Sequence, residues 1–406
     1  MTLPHLRAAV PPLLLLVLLI AFPQLSETLY APVLPHIATA FEVPAATAQL
    51  TMSVYFLAFA LGVVAWGRMA DKRGRRPAML AGLACYLLGA VLALVAPSFW
   101  LLLVSRFLLA FGASAGSVVV QTVLRDRYHG AQLAGVFSII GATLSLSPAF
   151  GPPTGALLAQ RFGHIGVFGF LALMGIGLLL ATQRWLAETR PGPSSTDGAA
   201  AALSVVARRV ATDGRLWIAA CHVAGFNVIL FGYYTLAPFT LQQLGWSGWV
   251  FGLTGLAVAL GSVLGAWINR RLLRQHAPVQ LVRFAVLASA VVSAMQVVWV
   301  FVANEQPNWV LGGLVLFQFL LMLAYGCAIP NLLATALDGY SEVRGTAAAL
   351  FGLTYYLMLA AGLGLLSLFH RPSVLYQPVA ILVVAMLLAL TLVRFASASP
   401  EVRCER

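Results

Sequence analysis

The sequence predicts an all-α integral membrane protein whose twelve transmembrane helices form two six-helix halves related by a pseudo-two-fold axis. Three observations support this fold class. The 406 residues are 61% hydrophobic and 9% charged, whereas about 25% of the residues in a soluble domain are charged. The apolar residues fall into twelve long runs, and one long polar gap divides these runs six and six. The composition excludes a soluble enzyme, a disordered chain and a secreted disulfide scaffold.

The twelve apolar runs follow one another along the chain, and each is long enough for a membrane span of about 20 residues. In chain order they cover residues 11–35, 46–66, 77–96, 98–121, 131–158 and 163–183, then 215–240, 248–268, 278–303, 308–335, 346–369 and 374–394. The first run follows Arg7 and is rich in leucine, as a signal peptide is. It is too long for one and lacks a small-x-small cleavage site, so we expect it to remain as the first span.

The polar gap predicts the domain organisation. Three units follow in chain order: an N-terminal six-helix bundle at 1–186, a cytoplasmic linker at 187–213 and a C-terminal six-helix bundle at 214–406. Pro, Gly and Ser mark the first half of the linker, whereas the second half predicts a short surface helix with Arg208 and Arg209 towards lipid headgroups. Residues 67–73 after span 2 resemble residues 265–271 after span 8. Two related halves are typical of transporters whose site lies at the interface between them.

The arginines indicate how the chain is oriented. The formal net charge is +12, and 21 of the 24 basic residues fall in loops on one side of the spans. Arg161 and Arg371 fall on the other side, and Arg106 falls within a span. This is the positive-inside signature, so we expect a multi-pass protein of the bacterial inner (cytoplasmic) membrane with both termini in the cytoplasm. Because the charge is divided among loops, it does not indicate a nucleic-acid partner.

Glu27 is the acidic residue that the pattern singles out. Of the twelve acidic residues it alone falls inside a span, roughly 22 Å from Pro12 into a hydrocarbon core of about 30 Å. An unpaired carboxylate is costly there, so we expect Glu27 to bind a proton or a cation, with Arg106 of span 4 as its partner or as a substrate anchor. The alternatives are a hydrated or structurally paired Glu27, and an Arg106 that pins the carbonyls of span 1.

Two further segments predict moving parts. The loop after span 2 is too charged for a passive connector, and its Asp71 can pair with arginines of the next loop or cap a helix, while Asp126 offers the reverse pairing. We expect a conformational latch, rather than a plain topology signal, at Gly67, Asp71, Arg75, Arg76, Arg125, Asp126 and Arg127. Span 5 contains three prolines among small residues, which predicts a kinked, tightly packed helix at Pro148, Gly151, Pro152 and Gly155.

Aromatic, amide and methionine side chains of inward-facing spans are the candidates for substrate binding, because they suit an adaptable apolar pocket. Packing or an interfacial belt is the alternative for each of them. The candidates are Tyr30, Tyr55, Asn227, Tyr234, Gln318, Tyr355 and Met358. The four cysteines share no ligand-like or disulfide-like spacing, so we expect neither a metal site nor a cofactor.

These motifs together resemble a known family. The loop at 67–77 looks like the signature loop of the major facilitator superfamily, and Pro148–Gly155 is similar to the span-5 motif of its proton-coupled exporters. Within the superfamily the chain resembles the Bcr/CflA (MdfA-like) drug:proton antiporters, through residues 29–38, 123–128 and 237–242. Many of those relatives carry the span-1 acid at the position of Thr28 or further towards the N-terminus, have a glutamine at the position of Leu109 and have a glycine at that of Ala110.

The resemblance implies a proton-coupled exporter of small, largely apolar molecules or drugs that works by alternating access. Its partners would be a small-molecule substrate, protons and the lipid bilayer, and we expect a monomer. The alternatives are a dedicated exporter of an endogenous metabolite or siderophore, and a proton-coupled importer on the same fold. A membrane-embedded enzyme would need clustered catalytic groups at membrane depth, and the sequence does not offer them.

Overall fold

The computed structural model describes residues 12–190, 199–303, 306–340 and 343–398, and these residues fold into helices joined by short turns. The N-terminal half contains α1 (Leu13–Tyr30), α2 (Leu34–Ala40), α3 (Ala45–Arg73), α4 (Arg75–Leu94), α5 (Phe99–Arg127) and α6 (Gly130–Trp185). The rest contains α7 (Ala199–Thr212), α8 (Gly214–Gln243), α9 (Gly248–Leu272), α10 (Pro278–Ala303), α11 (Pro307–Thr335), α12 (Arg344–Leu368) and α13 (Tyr376–Ala398). Both termini and residues 191–198 of the predicted linker lie outside the described residues.

The helices account for the twelve predicted spans. Helices α1 and α2 form one span, bent at the short 3-10 turn Ala31–Val33, where Pro32 withholds a backbone N–H. Helix α6 contains two spans, because Gly163 with φ 62° interrupts its helical backbone. Among the described residues ten helices are long and apolar enough to cross a membrane, and Tyr376–Leu392 is a shorter apolar helix. The prediction of an all-helical, twelve-span protein is confirmed.

The most extensive packing between the halves comes from two helix pairs: α3 packs against α12, and α6 packs against α9. The end of the bundle that carries residues 68–76, 125–127 and 270–274 is called the arginine-rich end below, and the opposite end the arginine-poor end. Helix α7, in the second half of the predicted linker, packs against α12 and α8. There Arg209 lies over the ring of Tyr340 at 4.6 Å and donates to the carbonyl of Gly339 at 2.8 Å.

Candidate functional site

The centre of the N-terminal half contains a buried ion pair between α1 and α5. Nη2 of Arg106 donates to Oε2 of Glu27 at 2.8 Å, and the two residues are 0% and 1% exposed. Within the described part of the chain, Oε1 of Glu27 and both Nε and Nη1 of Arg106 have no hydrogen-bond partner. Two charges in so dry a place are stable only as a pair, because either one alone would carry its full desolvation cost.

Two tyrosine rings enclose the guanidinium of this pair. The Cζ atom of Arg106 lies 3.6 Å from the ring centroid of Tyr30 and 4.7 Å from that of Tyr55. Tyr30 donates its hydroxyl to Thr51 at 2.7 Å, and Tyr55 donates its hydroxyl to the carbonyl of Pro23 at 2.9 Å, so both rings are fixed. Such contacts offset part of the desolvation of a cation. Both tyrosines, proposed from sequence as substrate contacts, are therefore buried against Arg106 in this state.

Small residues on α5 allow the helices of this half to approach closely enough to bury the pair. A Cβ atom on Gly112 would collide with the backbone of Tyr86 on α4, and one on Gly116 would collide with the Leu19 carbonyl and the Phe22 ring on α1. Helix α5 therefore carries Arg106, and its next two turns carry the glycines that allow close contact with the backbones of α4 and α1.

Aromatic rings separate the ion pair from the C-terminal half. The four rings of this aromatic layer are Phe56 and Phe59 on α3, Phe231 on α8 and Tyr356 on α12. Phe56 lies 4.5 Å from Phe231, and Phe59 lies 4.9 Å from Tyr356, between ring centroids. Tyr55 contacts Phe56 at 5.4 Å and Phe59 at 6.2 Å, so one set of ring contacts runs from Arg106 to the opposite half.

The predicted substrate residues of the C-terminal half divide into two groups. Asn227, Tyr355 and Met358 are half-buried. Asn227 accepts a hydrogen bond from Tyr325 at 3.3 Å, and Tyr355 lies 4.3 Å from Tyr356 of the aromatic layer. Tyr355 therefore lies beside the interface between the halves, and Asn227 lies one helical turn before Phe231 of the aromatic layer on α8.

Tyr234 and Gln318 form the second group and are each 1% exposed. Within the described residues, the hydroxyl of Tyr234 and both amide atoms of Gln318 have no hydrogen-bond partner. Tyr234 contacts the rings of Tyr233 and Phe251 inside the bundle. In this state the two side chains are enclosed by their own half.

Hydrogen bonds close the interface at the arginine-poor end. The amide nitrogen of Gln49, near the start of α3, lies 3.3 Å from Nδ1 of His370, in the turn after α12. One turn further along α3, Ser53 donates to the carbonyl of Ala360 at 2.6 Å. Burial lowers the pKa of His370 below its ordinary value, which favours the neutral ring. The two halves are thus joined at this end by contacts between neutral groups.

Four of the seven predicted latch residues, Asp71, Arg75, Arg76 and Asp126, form polar contacts at the arginine-rich end. Nε of Arg75 donates to Asp126 at 2.8 Å, and its Nη1 lies 3.4 Å from Asp71 and donates to the carbonyl of Ala70. Arg76 donates to the carbonyl of Gln183 at the end of α6. Among the described residues, Asp71 pairs with Arg75 of its own loop rather than with Arg125 or Arg127. The cluster therefore joins α3, α4, α5 and α6 within one half.

Glu188 is the member of this cluster that sequence reasoning missed. Its carboxylate accepts from the backbone N–H groups of Arg75 at 2.8 Å and Arg76 at 3.1 Å, and so caps the N-terminus of α4. A Cβ atom on Gly74, whose φ is 105°, would collide with this carboxylate. The signal in the sequence was that the residue before α4 is a glycine, which has no side chain to cap the helix.

The environment of Glu188 favours its ionised form. Burial raises the pKa of this carboxyl, but the N–H groups of Arg75, Arg190, Arg76 and Thr189 outweigh burial, so that its pKa lies below the ordinary value. Thr189 also donates its hydroxyl to Asp126 at 3.1 Å. The segment after α6 is therefore fastened to the predicted latch.

The span-5 motif lies between α1 and α9. A Cβ atom on Gly151 would collide with Thr28, and one on Gly155 would collide with the carbonyl of Leu29. From the other side, Gly255 of α9 contacts Pro148 and Pro152. The glycines of the motif thus face the helix of Glu27, whereas its prolines face the C-terminal half.

Comparison with known proteins identifies the family. The family model described as Major Facilitator Superfamily matches residues 16–365. This chain belongs to the major facilitator superfamily. It is 31% identical over 375 residues to an uncharacterized transporter of Rickettsia bellii, covering 90% of this chain and 92% of that protein. It is 28% identical over 342 residues to a chloramphenicol resistance protein of Pseudomonas aeruginosa, covering 81% of this chain and 77% of that one.

Solved structures agree with the fold of this superfamily member. The POT family transporter PepTSo superposes with a TM-score of 0.77 at 12% identity, covering 97% of this chain and 98% of that one. At that identity the likeness shows the fold alone. The chain is a multi-pass membrane transporter of the major facilitator superfamily, with drug-resistance proteins among its relatives.

Proposed function

We propose that this transporter exports small, largely apolar organic molecules or drugs in exchange for protons, by alternating access. The Bcr/CflA resemblance and the chloramphenicol resistance relative support the substrate class. The observation that carries the proposal is the buried pair of Glu27 and Arg106 next to the aromatic layer. Acids at membrane depth commonly belong to proton relays.

Protonation of Glu27 is the step that couples the two fluxes. Once the carboxyl is neutral, Arg106 loses its counter-charge and keeps only the rings of Tyr30 and Tyr55. Because Tyr55 packs on Phe56 and Phe59, a shift of the guanidinium reaches the contacts between the halves. The free energy of protonation thereby biases the equilibrium between inward-open and outward-open states.

The proposed cycle has two half-reactions. In the outward-open state Glu27 takes up a proton and substrate leaves, and in the inward-open state the proton departs and substrate enters. One proton moving down about 100 mV supplies about 2.3 kcal/mol. That corresponds to a roughly 50-fold gradient of substrate at about 1.36 kcal/mol per decade. Such a gradient is enough for drug export.

The positive-inside rule orients the cycle, with the arginine-rich end and both termini on the cytoplasmic side of a bacterial inner membrane. The bonds from Gln49 and Ser53 then close the outer side. The latch around Arg75 and Asp126 holds the cytoplasmic ends of its half together in this state. A latch that loosens in the other state would bias the equilibrium by about 1–2 kcal/mol.

The proposed substrate path follows the interface. Asn227, Tyr355 and Met358 are its side-chain contacts beside the aromatic layer. Tyr30 and Tyr55 position Arg106 in the closed state, and Tyr234 and Gln318 join the path when the halves separate. Each of these assignments predicts a change in substrate affinity on substitution without a change in proton dependence, except at Tyr30 and Tyr55, where both change.

The test is uptake of chloramphenicol into inverted vesicles with and without a pH gradient. We expect uptake to need the gradient, and Glu27→Gln to abolish gradient-driven uptake while leaving counterflow exchange partly intact. Glu42→Gln, in an outer turn, is the matched control and should behave as wild type. Undiminished gradient-driven uptake by Glu27→Gln would refute the proposed role.

The same assay separates the rival functions. A proton-coupled importer on this fold would lose substrate from acid-loaded inverted vesicles instead of accumulating it. A dedicated exporter of an endogenous metabolite or siderophore would accept that compound and reject a panel of unrelated drugs. The packing of the span-5 motif between α1 and α9 favours the exporter, through its resemblance to proton-coupled exporters.

A further inference from the structure

The charge balance of the site restricts its substrates, provided that the proposed export function holds. Besides Glu27, the acidic residues that the structure describes lie in turns, at helix ends or in the segment after α6. They are Glu42, Asp71, Asp126, Glu188, Asp213 and Asp338. A cation at the interface between the halves therefore has one carboxylate at membrane depth as a counter-charge, and Arg106 already neutralises that carboxylate at 2.8 Å.

Neither protonation state of the pair is negative overall. With Glu27 ionised the pair carries no net charge, and with Glu27 protonated it carries the single positive charge of Arg106. A lipophilic cation would have to leave water for an interface that is neutral in one state and positive in the other. Burying a charge without a counter-ion is strongly unfavourable.

The aromatic layer and the polar groups of the C-terminal half suit an uncharged aromatic molecule instead. The rings of Phe56 and Tyr356 lie across the interface from each other with planes only 11° apart. Offset stacking on such rings needs no charge. Tyr325 donates to Oδ1 of Asn227 at 3.3 Å, and Nδ2 of Asn227 donates to the carbonyl of Val223. The second N–H of this amide and the oxygen of Tyr325 remain as polar partners for a hydroxyl, carbonyl or nitro group.

We infer that this transporter selects uncharged aromatic compounds over lipophilic cations, because Arg106 already neutralises the charge of the carboxylate that a cation would need. Exchange of one such compound for one proton moves one positive charge inward per cycle. Transport of an uncharged substrate must therefore respond to the membrane potential as well as to the pH gradient.

Binding to the purified transporter in nanodiscs at pH 7.5, without any gradient, tests the inference. The probes are chloramphenicol, which is uncharged, and tetraphenylphosphonium, a permanent aromatic cation. We expect wild type to bind chloramphenicol at least about tenfold more tightly, a difference of about 1.4 kcal/mol. Equal or tighter binding of the cation by wild type would overturn the inference.

A charge cycle on the pair identifies the cause. Arg106→Gln leaves the carboxylate without a counter-charge and should strengthen cation binding about tenfold relative to chloramphenicol. Glu27→Gln leaves the positive charge and should weaken cation binding further. The double variant restores neutrality and should return the ratio of the two affinities towards that of wild type. An unchanged ratio in Arg106→Gln would contradict the assigned cause.

Wild-type flux gives a measurement that does not depend on the folding of any variant. In inverted vesicles with an inside-positive potential and no pH gradient, chloramphenicol should be accumulated, and collapse of the potential should stop its accumulation. Potential-independent uptake would overturn the inferred charge movement. The two hypotheses fail differently: loss of all proton-driven flux refutes the export function, whereas cation-preferring binding with intact flux refutes only the selectivity.

Discussion

The two halves contain the same hydroxyl chain in very different surroundings. In the N-terminal half Tyr30 donates to Thr51, which donates to the carbonyl of Ala48; in the C-terminal half Tyr233 donates to Thr254, which donates to Phe251. Both tyrosine–threonine pairs are 21 residues apart in sequence. The repeat thus extends to single hydrogen bonds.

The surroundings differ in charge. The ring of Tyr30 covers the guanidinium of Arg106, whereas the ring of Tyr233 packs on Phe251 and Tyr234 at 6.0 Å. A related difference recurs at the arginine-rich end, where Arg75 pairs with Asp126 in one half and Asn331 bonds to Asn269 in the other. One half therefore contains ionic chemistry, and the other repeats its framework with neutral groups.

The largest expected effect comes from breaking the ion pair. Arg106→Leu leaves a buried carboxylate alone and should lower the free energy of unfolding by about 3–5 kcal/mol. The double variant with Glu27→Leu should recover most of that loss, because no charge remains in the bundle. Unfolding in detergent, followed by tryptophan fluorescence, measures both. A double variant no more stable than Arg106→Leu would show that the pair is not the cause.

A smaller effect compares the two tyrosines directly. Tyr30→Leu and Tyr233→Leu each remove a ring and one hydrogen bond, so both should cost about 2 kcal/mol of stability. Proton-driven transport should fall about tenfold in Tyr30→Leu alone, since that ring faces Arg106. Stability and vesicle uptake are measured on the same preparations. Equal losses of transport in the two variants would remove the functional distinction between the halves.

The next prediction compares the ionised cap of α4, Glu188, with the neutral hydrogen bond between Asn331 and Asn269. Glu188→Ala removes the cap of α4 and should cost about 1 kcal/mol. Because the pKa of Glu188 in the folded state lies below its ordinary 4.5, its stabilisation is complete above that value and is lost as pH falls through the folded pKa. The matched control, Asn331→Ala, has no titrating group, so its cost should not vary with pH. Unfolding at pH 7 and pH 3.5 distinguishes the two.

The smallest effect concerns the contact between the halves at the arginine-poor end. The pKa of His370 is lowered by burial, so the closed contact with Gln49 is most stable above the ordinary histidine pKa of about 6.5 and weakens as pH falls below it. Its contribution should be about 1 kcal/mol or less. The distance between spin labels at Thr39→Cys and Arg371→Cys should be longer at pH 5.5 than at pH 7.5. His370→Leu should remove this pH dependence. A dependence that persists in that variant would assign it to other groups.

The spans were predictable because hydrocarbon imposes length and composition on each helix separately. The break between spans 5 and 6 was also placed correctly, since the polar residues around Arg161 precede Gly163, where the backbone turns. Glu27 and Arg106 could be singled out from the sequence as site candidates because few charged residues fall at membrane depth. Their contact was one of three alternatives for Arg106, since periodicity gives the face of a helix and not its neighbour.

The aromatic layer and Glu188 could not be predicted in the same way. Phe56 and Phe59 differ from other aromatics of a membrane helix only in what they meet across the interface. Glu188 is separated by over a hundred residues from the helix that it caps. Both depend on packing between segments that are distant in sequence. The local pattern of a single sequence carries little information about such contacts. The assignments to substrate binding and to the latch remain predictions.

The span-5 motif is the place where one helix, α6, packs directly against both halves of the molecule. On one side of α6, Gly151 and Gly155 let α1 pack directly against the backbone. On the other side, Pro148 and Pro152 contact Gly255 of α9. Because close-packed backbone does not compress, we expect a small displacement of α1 near Thr28 to be transmitted through α6 to α9. Under the proposed function, we expect a proton bound at Glu27, one residue from Thr28, to move the C-terminal half through these direct helix contacts, without a long flexible linker.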